Sequence, residues 1–350
     1  MYRRRKTKKV YFGDVPVGGD APISVQSMTN TKTSDIKSTA EQIKILENLG
    51  CEIIRTAVPD IESARAIKEL KKEINIPIVA DIHFDYKLAL ESVNSGVDAL
   101  RINPGNIGKE RNIKKVAEAC QKAKIPIRVG SNSGSIEKSI LEKYGGPTAE
   151  AMVESALQNI RILEDNNFFD IVISLKSTDI FTTIEAYSLM AEKVDYPFHI
   201  GITEAGTSWG GTIKSSIGIG SLLSCGLGDT IRVSLTAEPE EEVRVGWQIL
   251  KSLKLREKGV EIVSCPSCGR TEIDLIPLAE RVEKLTSHID KNITIAVMGC
   301  AVNGPGEAKE ADIGIAGGKQ EGLIFKKGKV IKKVPEEKLS EELLKEIENI

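Results

Sequence analysis

Aromatic side chains are scarce in this chain, at 4% of its 350 residues. That is too few for a base-stacking platform of the kind that binds single-stranded nucleic acid. Neither sign of charge is in excess: 48 Lys and Arg face 50 Asp and Glu, for a net charge of −2. Nothing there drives the chain as a whole toward nucleic acid or an anionic membrane. No apolar run approaches the roughly 18 residues of a membrane span. The opening "MYRRRKTKKV" is basic but has no apolar segment behind it, so it is not expected to act as a secretory signal. It reads as a solvated, partly mobile arm, with docking to an acidic partner as the alternative. Six cysteines in so long a chain make no disulfide framework and point to the reducing cytoplasm. No Gly-x-Gly-x-x-Gly follows the first β-rich run, which counts against an open dinucleotide-binding sheet.

What is present is a repeated unit. A short apolar, β-rich run leads into a polar loop and then a helix-period segment, eight times over. The runs lie at 22–30, 51–59, 76–84, 99–106, 125–134, 170–179, 198–206 and 230–238. After the first, Ser34 is placed to cap a helix, Ile36, Ile43, Leu46 and Leu49 form an apolar face, and Gly50 suits a left-handed exit. Eight β-then-α units in about 250 residues predict a closed (β/α)8 TIM barrel. The segment "VYFGDVPVGGD" before it reads as a hairpin plugging the barrel's N-terminal mouth. The pattern changes after Leu255 to strand, helix, strand, Gly-rich loop, strand, hairpin and terminal helix. The expected division is therefore a substrate-binding barrel over 1–255 and a smaller α/β metal-binding domain over 256–350.

Charged residues recur at the C-terminal ends of the expected strands: Arg55, Arg101, Arg128, Lys176 and Arg232, with Asp81, His83 and Glu204. Residues two apart in a strand share a face, so Arg101 aligns with Asn103, Arg232 with Ser234 and Asp81 with His83. In a barrel that face points inward, at the end where active sites are built. Uncompensated buried charge is costly. Asp81 and Glu204 can balance two of the five cations, and the excess calls for a multiply charged anion such as phosphate.

The second domain carries Cys265 and Cys268 in "SCPSCGR", and Cys300 opening the loop "GCAVNGPGE". Cys51, Cys120 and Cys225 read as small buried apolar residues. Three thiols without a second C-x-x-C are one ligand short of a zinc ribbon. Zinc with an oxygen or nitrogen ligand, or a 4Fe–4S cluster with one non-thiolate iron, both fit. Glu307, Glu310 and Asp312 are the nearby carboxylates, and spacing does not choose among them. On these grounds a zinc-stabilised lyase or transferase acting on a phosphorylated small molecule, and a non-catalytic iron–sulfur sensor, are the rival functions.

The two halves together resemble one family. "VQSMTNT", "IIRTAVPD", "ADIHFDYKLAL", "LRINPGNIG", "IRVGSNSGS", "ISLKSTD", "CPSCGRTEID" and "VMGCAVNGPGEA" are similar to the 4-hydroxy-3-methylbut-2-enyl diphosphate synthases, in their compact bacterial form. The resemblance covers nearly the whole chain. It implies an oxidoreductase of the non-mevalonate isoprenoid route. The implied reaction is reductive ring opening and dehydroxylation of 2-C-methyl-D-erythritol 2,4-cyclodiphosphate, with ferredoxin or flavodoxin supplying two electrons. It implies a 4Fe–4S cluster on Cys265, Cys268, Cys300 and Glu307. It places the diphosphate among Arg55, Arg101, Arg128, Lys176 and Arg232, with Asp81, His83, Asn103, Asn132, Glu204 and Ser234 contacting the rest. Glu204 is the candidate proton donor, or a hydrogen-bonding group only.

Chain geometry adds an expectation about assembly. The helix after strand eight runs back toward the barrel's N-terminal face, about 27 Å over roughly 18 residues. The linker "REKG" spans at most about 14 Å. The metal domain is thus tethered at the end opposite the cationic ring, and a head-to-tail homodimer is the simplest way to bring a cluster to a ring.

Overall fold

The structure, a computed structural model, describes residues 4–103, 107, 110–300, 306, 308–318 and 321–350. Two compact units emerge, Met1–Arg256 and Glu257–Ile350.

The first unit opens with an antiparallel hairpin, β1 (Val10–Phe12) and β2 (Val15–Val17). Eight parallel strands follow: β3 (Ser24–Met28), β4 (Ile53–Ala57), β5 (Ile78–Asp81), β6 (Ala99–Ile102), β7 (Ile127–Asn132), β8 (Ile171–Lys176), β9 (His199–Ile200) and β10 (Thr230–Ile231). Their order in the sheet is β8-β7-β6-β5-β4-β3-β10-β9. A parallel bridge between Ile173 and Phe198 brings the two edge strands together and closes the ring. Outward residues such as Ile54, Ile78, Leu100, Ile127 and Ile173 pack into a core under the surrounding helices. Burial on both faces is why these strands read as continuous apolar runs. Inward, Ile53, Val79, Ala99 and Val172 pack on Val10, Phe12 and Val17 of the hairpin, which plugs the N-terminal mouth.

The helices are α1 (Ile36–Asn48), α2 (Ile61–Glu73), α3 (Tyr86–Asn94), α4 (Glu110–Ala123), α5 (Lys138–Tyr144), α6 (Ala149–Glu164), α7 (Ile180–Ala191), α8 (Ser208–Ser224) and α9 (Pro239–Ser252). Two details depart from expectation. Asp35, not Ser34, caps α1, because its carboxylate accepts from the Ser38 amide. The segment between β7 and β8 holds two helices, since the pair Gly145–Gly146 ends α5 before α6 begins.

The basic arm is not free. Arg4 Nη2 donates to Asp229 Oδ1 at 2.7 Å, and Arg5 Nη1 donates to Val194 O at 2.9 Å. The Arg5 guanidinium lies 3.9 Å over the Phe198 ring. The arm is therefore bound to the barrel from Arg4 onward. At the other end of the unit, Arg256 Nη1 donates to Ile23 O and to the Glu52 carboxylate, each at 2.9 Å. Ile23 and Glu52 immediately precede β3 and β4. The chain thus leaves the barrel at the N-terminal ends of its strands.

The second unit is a mixed five-stranded sheet in the order β11 (Val260–Ser264), β12 (Ile293–Met298), β13 (Ile313–Gly317), β14 (Glu321–Lys326), β15 (Lys329–Pro335). The first three strands are parallel and the last two antiparallel. α10 (Leu275–Thr286) and α11 (Leu339–Glu348) contribute Leu275, Val282, Leu339, Leu343 and Ile347 to the core over Ile295, Val297, Ile315 and Ile324. A second cluster forms around Ala296, Met298, Ala316 and Phe325, with Cys265 against it.

Candidate active site

The inward positions at the C-terminal end of the barrel carry the cations. Arg55 lies on β4, Arg101 on β6, Arg128 on β7 and Lys176 at the end of β8, while Arg232 directly follows β10. Two glycines make this crowding possible. A Cβ on Gly130 would lie 2.8 Å from Arg101 Nε, and one on Gly201 would meet the Arg232 carbonyl first and lie 2.9 Å from Lys176 Nζ. Each glycine leaves the space through which a neighbouring cation passes.

Asp81 anchors the ring. Its Oδ1 accepts from Arg101 Nη1 at 3.2 Å, and its Oδ2 lies 3.8 Å from Arg55 Nε and 3.5 Å from His83 Nε2. Burial pushes the carboxyl up. The hydrogen bond from His83 and the charges of Arg55, Arg101 and Arg128 outweigh that and hold it well below the usual carboxylate range. The second counter-charge is Glu242 on α9, buried and 3.6 Å from Arg232 Nη2. Its oxygens also accept from the Leu235 amide and the Ser27 hydroxyl. The sequence pattern points to Glu204 for that balancing part, whereas Glu242 stands beside Glu240 and Glu241 in the acidic first turn of α9. A signal existed: Glu242 falls on the buried stripe of Pro239, Val243, Gly246 and Leu250. Among the described residues Glu204 makes no ion pair. It is exposed, on a left-handed backbone at φ 51°.

Among the described residues the remaining charge has no counter-ion. Arg128 is 1% exposed and its Nη1 donates to Gln26 Oε1 at 3.2 Å. Among the described residues its Nε and Nη2, and Nε of Arg232, are buried without a hydrogen-bond partner. Burial, followed by Arg55 and Arg101, drives the Arg128 pKa well down. Burial and then Arg232 lower Arg55 to about 9. Lys176 is driven well down by burial and then by Arg232, Arg55, Arg128 and Arg101. Donors pressed together in this way fit a ligand with several anionic oxygens. Of the other expected contacts, Asn103 is buried after β6, Asn132 ends β7 half-buried, and Ser234 is half-buried beyond Arg232. His83 is exposed at the rim. His199, buried on β9 with Nε2 3.3 Å from Lys176 Nζ, belongs to this region and was missed.

In the second unit, parallel pairing of β11 with β12 matches Ser264 to Val297. That register brings the C-x-x-C turn and Cys300 to the same end of the sheet, beyond the C-termini of two neighbouring strands. The Gly299 amide donates to Cys265 Sγ at 3.2 Å. The turn is braced by the Cys268 amide on Thr271 Oγ1 and the Glu272 amide on Gly299 O. Cys268 is exposed, and the Arg270 amide draws its thiol below the ordinary range. An amide aimed at one sulfur and a third thiol on the adjoining strand suit a thiolate-held metal or cluster. Among the described residues no three ligating side chains already converge on one point. Glu307 lies outside the described residues. Asp312 is committed elsewhere, its Oδ2 accepting from the Thr294 amide near the start of β12, the opposite end from Cys300. Cys225 corrects an expectation: it is exposed at the C-cap of α8, whereas Cys51 and Cys120 are buried.

Residues 7–247 match the GcpE TIM-barrel domain and residues 261–349 the GcpE protein C-terminal domain. The chain is 64% identical over 347 residues to a 4-hydroxy-3-methylbut-2-en-1-yl diphosphate synthase (flavodoxin) from Caldanaerobacter subterraneus, covering 99% of this chain and 98% of that one. It is 60% identical to the protein of the same description from Clostridium acetobutylicum, covering 99% and 100%. Among solved structures, a type I 3-dehydroquinate dehydratase from Clostridium difficile matches with a TM-score of 0.53 at 14% identity, covering 71% of this chain and 98% of that one. An N-acetylneuraminic acid synthetase from Leptospira borgpetersenii matches with a TM-score of 0.51 at 13% identity, covering 81% and 99%. At such identities the structural matches speak to the barrel fold alone.

Proposed function

The chain belongs to the GcpE family of 4-hydroxy-3-methylbut-2-enyl diphosphate synthases, and from that premise we propose how its two units divide the reaction. The enzyme is an oxidoreductase that opens the ring of 2-C-methyl-D-erythritol 2,4-cyclodiphosphate reductively and removes a hydroxyl, giving 4-hydroxy-3-methylbut-2-enyl diphosphate. The buried, under-compensated cationic ring is the observation that carries the assignment of substrate to the barrel.

Arg55, Arg101, Arg128, Lys176 and Arg232 bind the two phosphoryl groups. Asp81 orients Arg55 and Arg101 while leaving most of their donors for the ligand, and Glu242 does the same for Arg232. His83, Asn103, Asn132 and Ser234 contact the remainder of the substrate. Glu204, exposed on its left-handed turn after β9, donates a proton to the leaving oxygen. Cys265, Cys268, Cys300 and Glu307 hold a 4Fe–4S cluster. When bound, the cluster supplies single electrons and an iron that can bind the departing hydroxyl. Flavodoxin is the electron donor, in keeping with the names of the relatives. The free thiols suit the reducing cytoplasm. Among the described residues no helix is long and apolar enough to cross a membrane.

The functional assembly is a head-to-tail homodimer in which each cluster domain serves the partner's barrel. Supporting this, Arg256 pins the chain exit to Ile23 and Glu52, at the strand ends opposite the ring. The test mixes two impaired variants, Arg128→Met in the barrel and Cys300→Ser in the cluster domain, at a substrate concentration too low for Arg128→Met to turn over alone. Activity returns in the heterodimer if the sites are shared between subunits. A verified heterodimer no more active than its parents contradicts the shared site.

A further inference from the structure

We propose that His199 is a positioning residue that holds the Lys176 ammonium at the diphosphate site from the strand that closes the barrel. The inference rests on the assignment of Lys176 to the diphosphate and adds a residue that acts through it. Lys176 Nζ and His199 Nε2 are 3.3 Å apart, and both residues are buried. Gly201 shares the inward face of its segment with His199, two residues away. A Cβ at Gly201 would sit 2.9 Å from the same Nζ. The ammonium therefore lies against β9, between His199 and the gap left by Gly201.

The imidazole serves as an acceptor in its neutral form, and a bound diphosphate restores the charge on the Lys176 amine that burial disfavours. Burial, and then the charges of Arg128, Lys176, Arg55 and Arg232, drive the imidazole pKa well below the ordinary histidine value. With Nε2 accepting from Lys176, the proton falls on Nδ1, which is buried without a partner among the described residues. A protonated ring would add a repelling charge to those already crowded there. Without an acceptor on β9, repulsion from the neighbouring guanidiniums would turn Nζ away from its place, so the loss would fall on substrate binding.

The backbone around the pair is fixed independently. Tyr187 Oη donates to His199 O at 2.7 Å and accepts from the Leu175 amide at 2.9 Å. This buried phenol on α7 ties the residue before Lys176 to His199 itself. It does so at the seam where β8 and β9 meet through the Ile173–Phe198 bridge. The spacing between ammonium and imidazole is thus set by the fold rather than by the side chains alone.

The test uses the cluster-loaded enzyme with cyclic diphosphate and a chemical reductant, and compares His199→Phe, His199→Gln and His199→Asn alone and in a Lys176→Ala background. Glutamine can place an oxygen near the Nε2 position, whereas asparagine is too short and phenylalanine has no acceptor. His199→Phe and His199→Asn should raise KM about tenfold or more, the range of a lost charge-assisted hydrogen bond. His199→Gln should stay within about threefold of wild type, with kcat nearly constant. In the Lys176→Ala background the His199 substitutions should add less than about twofold, because their effect passes through the missing ammonium. Equal penalties with and without Lys176, or Gln no better than Asn in proteins that melt alike, overturn the positioning role. An unchanged KM for Lys176→Ala alone overturns instead the diphosphate assignment beneath it.

Discussion

Replacing Arg128 with methionine should make the unliganded protein more stable and a poorer binder at once. Arg128 is 1% exposed and among the described residues has one hydrogen bond, to Gln26 Oε1. Its Nε and Nη2 are unpartnered among the described residues, and Arg55 and Arg101 press on it. Exchanging buried ionic groups for apolar ones of similar volume is commonly neutral or stabilising, by up to about 4 kcal/mol. Against this stands the charge-assisted hydrogen bond to the buried Gln26, about 1.5–3 kcal/mol. The net expectation is a small gain of at most about 2 kcal/mol, or up to roughly 8 °C in Tm for a unit of this size. Wild-type protein should gain about 2.7 kcal/mol from inorganic pyrophosphate at a hundred times its Kd. The variant should lose about 1.5–3 kcal/mol of that affinity, one charge-assisted contact. Scanning calorimetry with and without pyrophosphate reads both effects. A variant that melts below wild type and keeps the full pyrophosphate shift refutes the reasoning, for Arg128 would then be a stabilising structural residue.

Asp81→Asn removes the common partner of Arg55 and Arg101 and should cost about 3–5 kcal/mol in urea unfolding, with pyrophosphate restoring part of it. An unchanged midpoint would mean the ring does not depend on that carboxylate. Stability should fall on acidification. The folded Asp81 carboxyl and the folded His199 imidazole both lie below their ordinary values, so the unfolded chain binds more protons and stability rises with pH. The His199 contribution is lost below about pH 6.5 and that of Asp81 below about pH 4; a flat profile from about pH 7 to 4 would argue against the first, and a flat profile from about pH 4 to 2 against the second. Glu307→Ala should retain a cluster with altered absorption and paramagnetic spectra and little turnover. Wild-type spectra in that variant would move the fourth ligand to another residue.

The barrel was legible because parallel strands are buried on both faces, so each appears as a short apolar run such as "IPIVADIHF" before a helical period. The inward charges were legible for a related reason: an arginine in a run otherwise as apolar as 99–102 has to face something polar. Harder to read were features that depend on which surface meets which. Glu242 looks like its acidic neighbours until α9 is rotated onto the barrel. His199 looks like a core histidine until Lys176 is brought across the closing seam. The arm looks mobile until Asp229 and Phe198 are placed beneath Arg4 and Arg5. Cys225 looks apolar until the end of α8 is seen to turn it toward solvent. The single helical segment expected between β7 and β8 is divided because Gly145 ends α5 in a left-handed turn after seven residues.

The most direct measurement is anaerobic turnover of 2-C-methyl-D-erythritol 2,4-cyclodiphosphate by the purified protein, with iron, sulfide and zinc determined on the same sample. The account predicts iron and sulfide in cluster stoichiometry, and formation of 4-hydroxy-3-methylbut-2-enyl diphosphate with two electrons drawn from a chemical reductant per molecule. Stoichiometric zinc without sulfide, or no product from a protein carrying its full iron and sulfide, would contradict it.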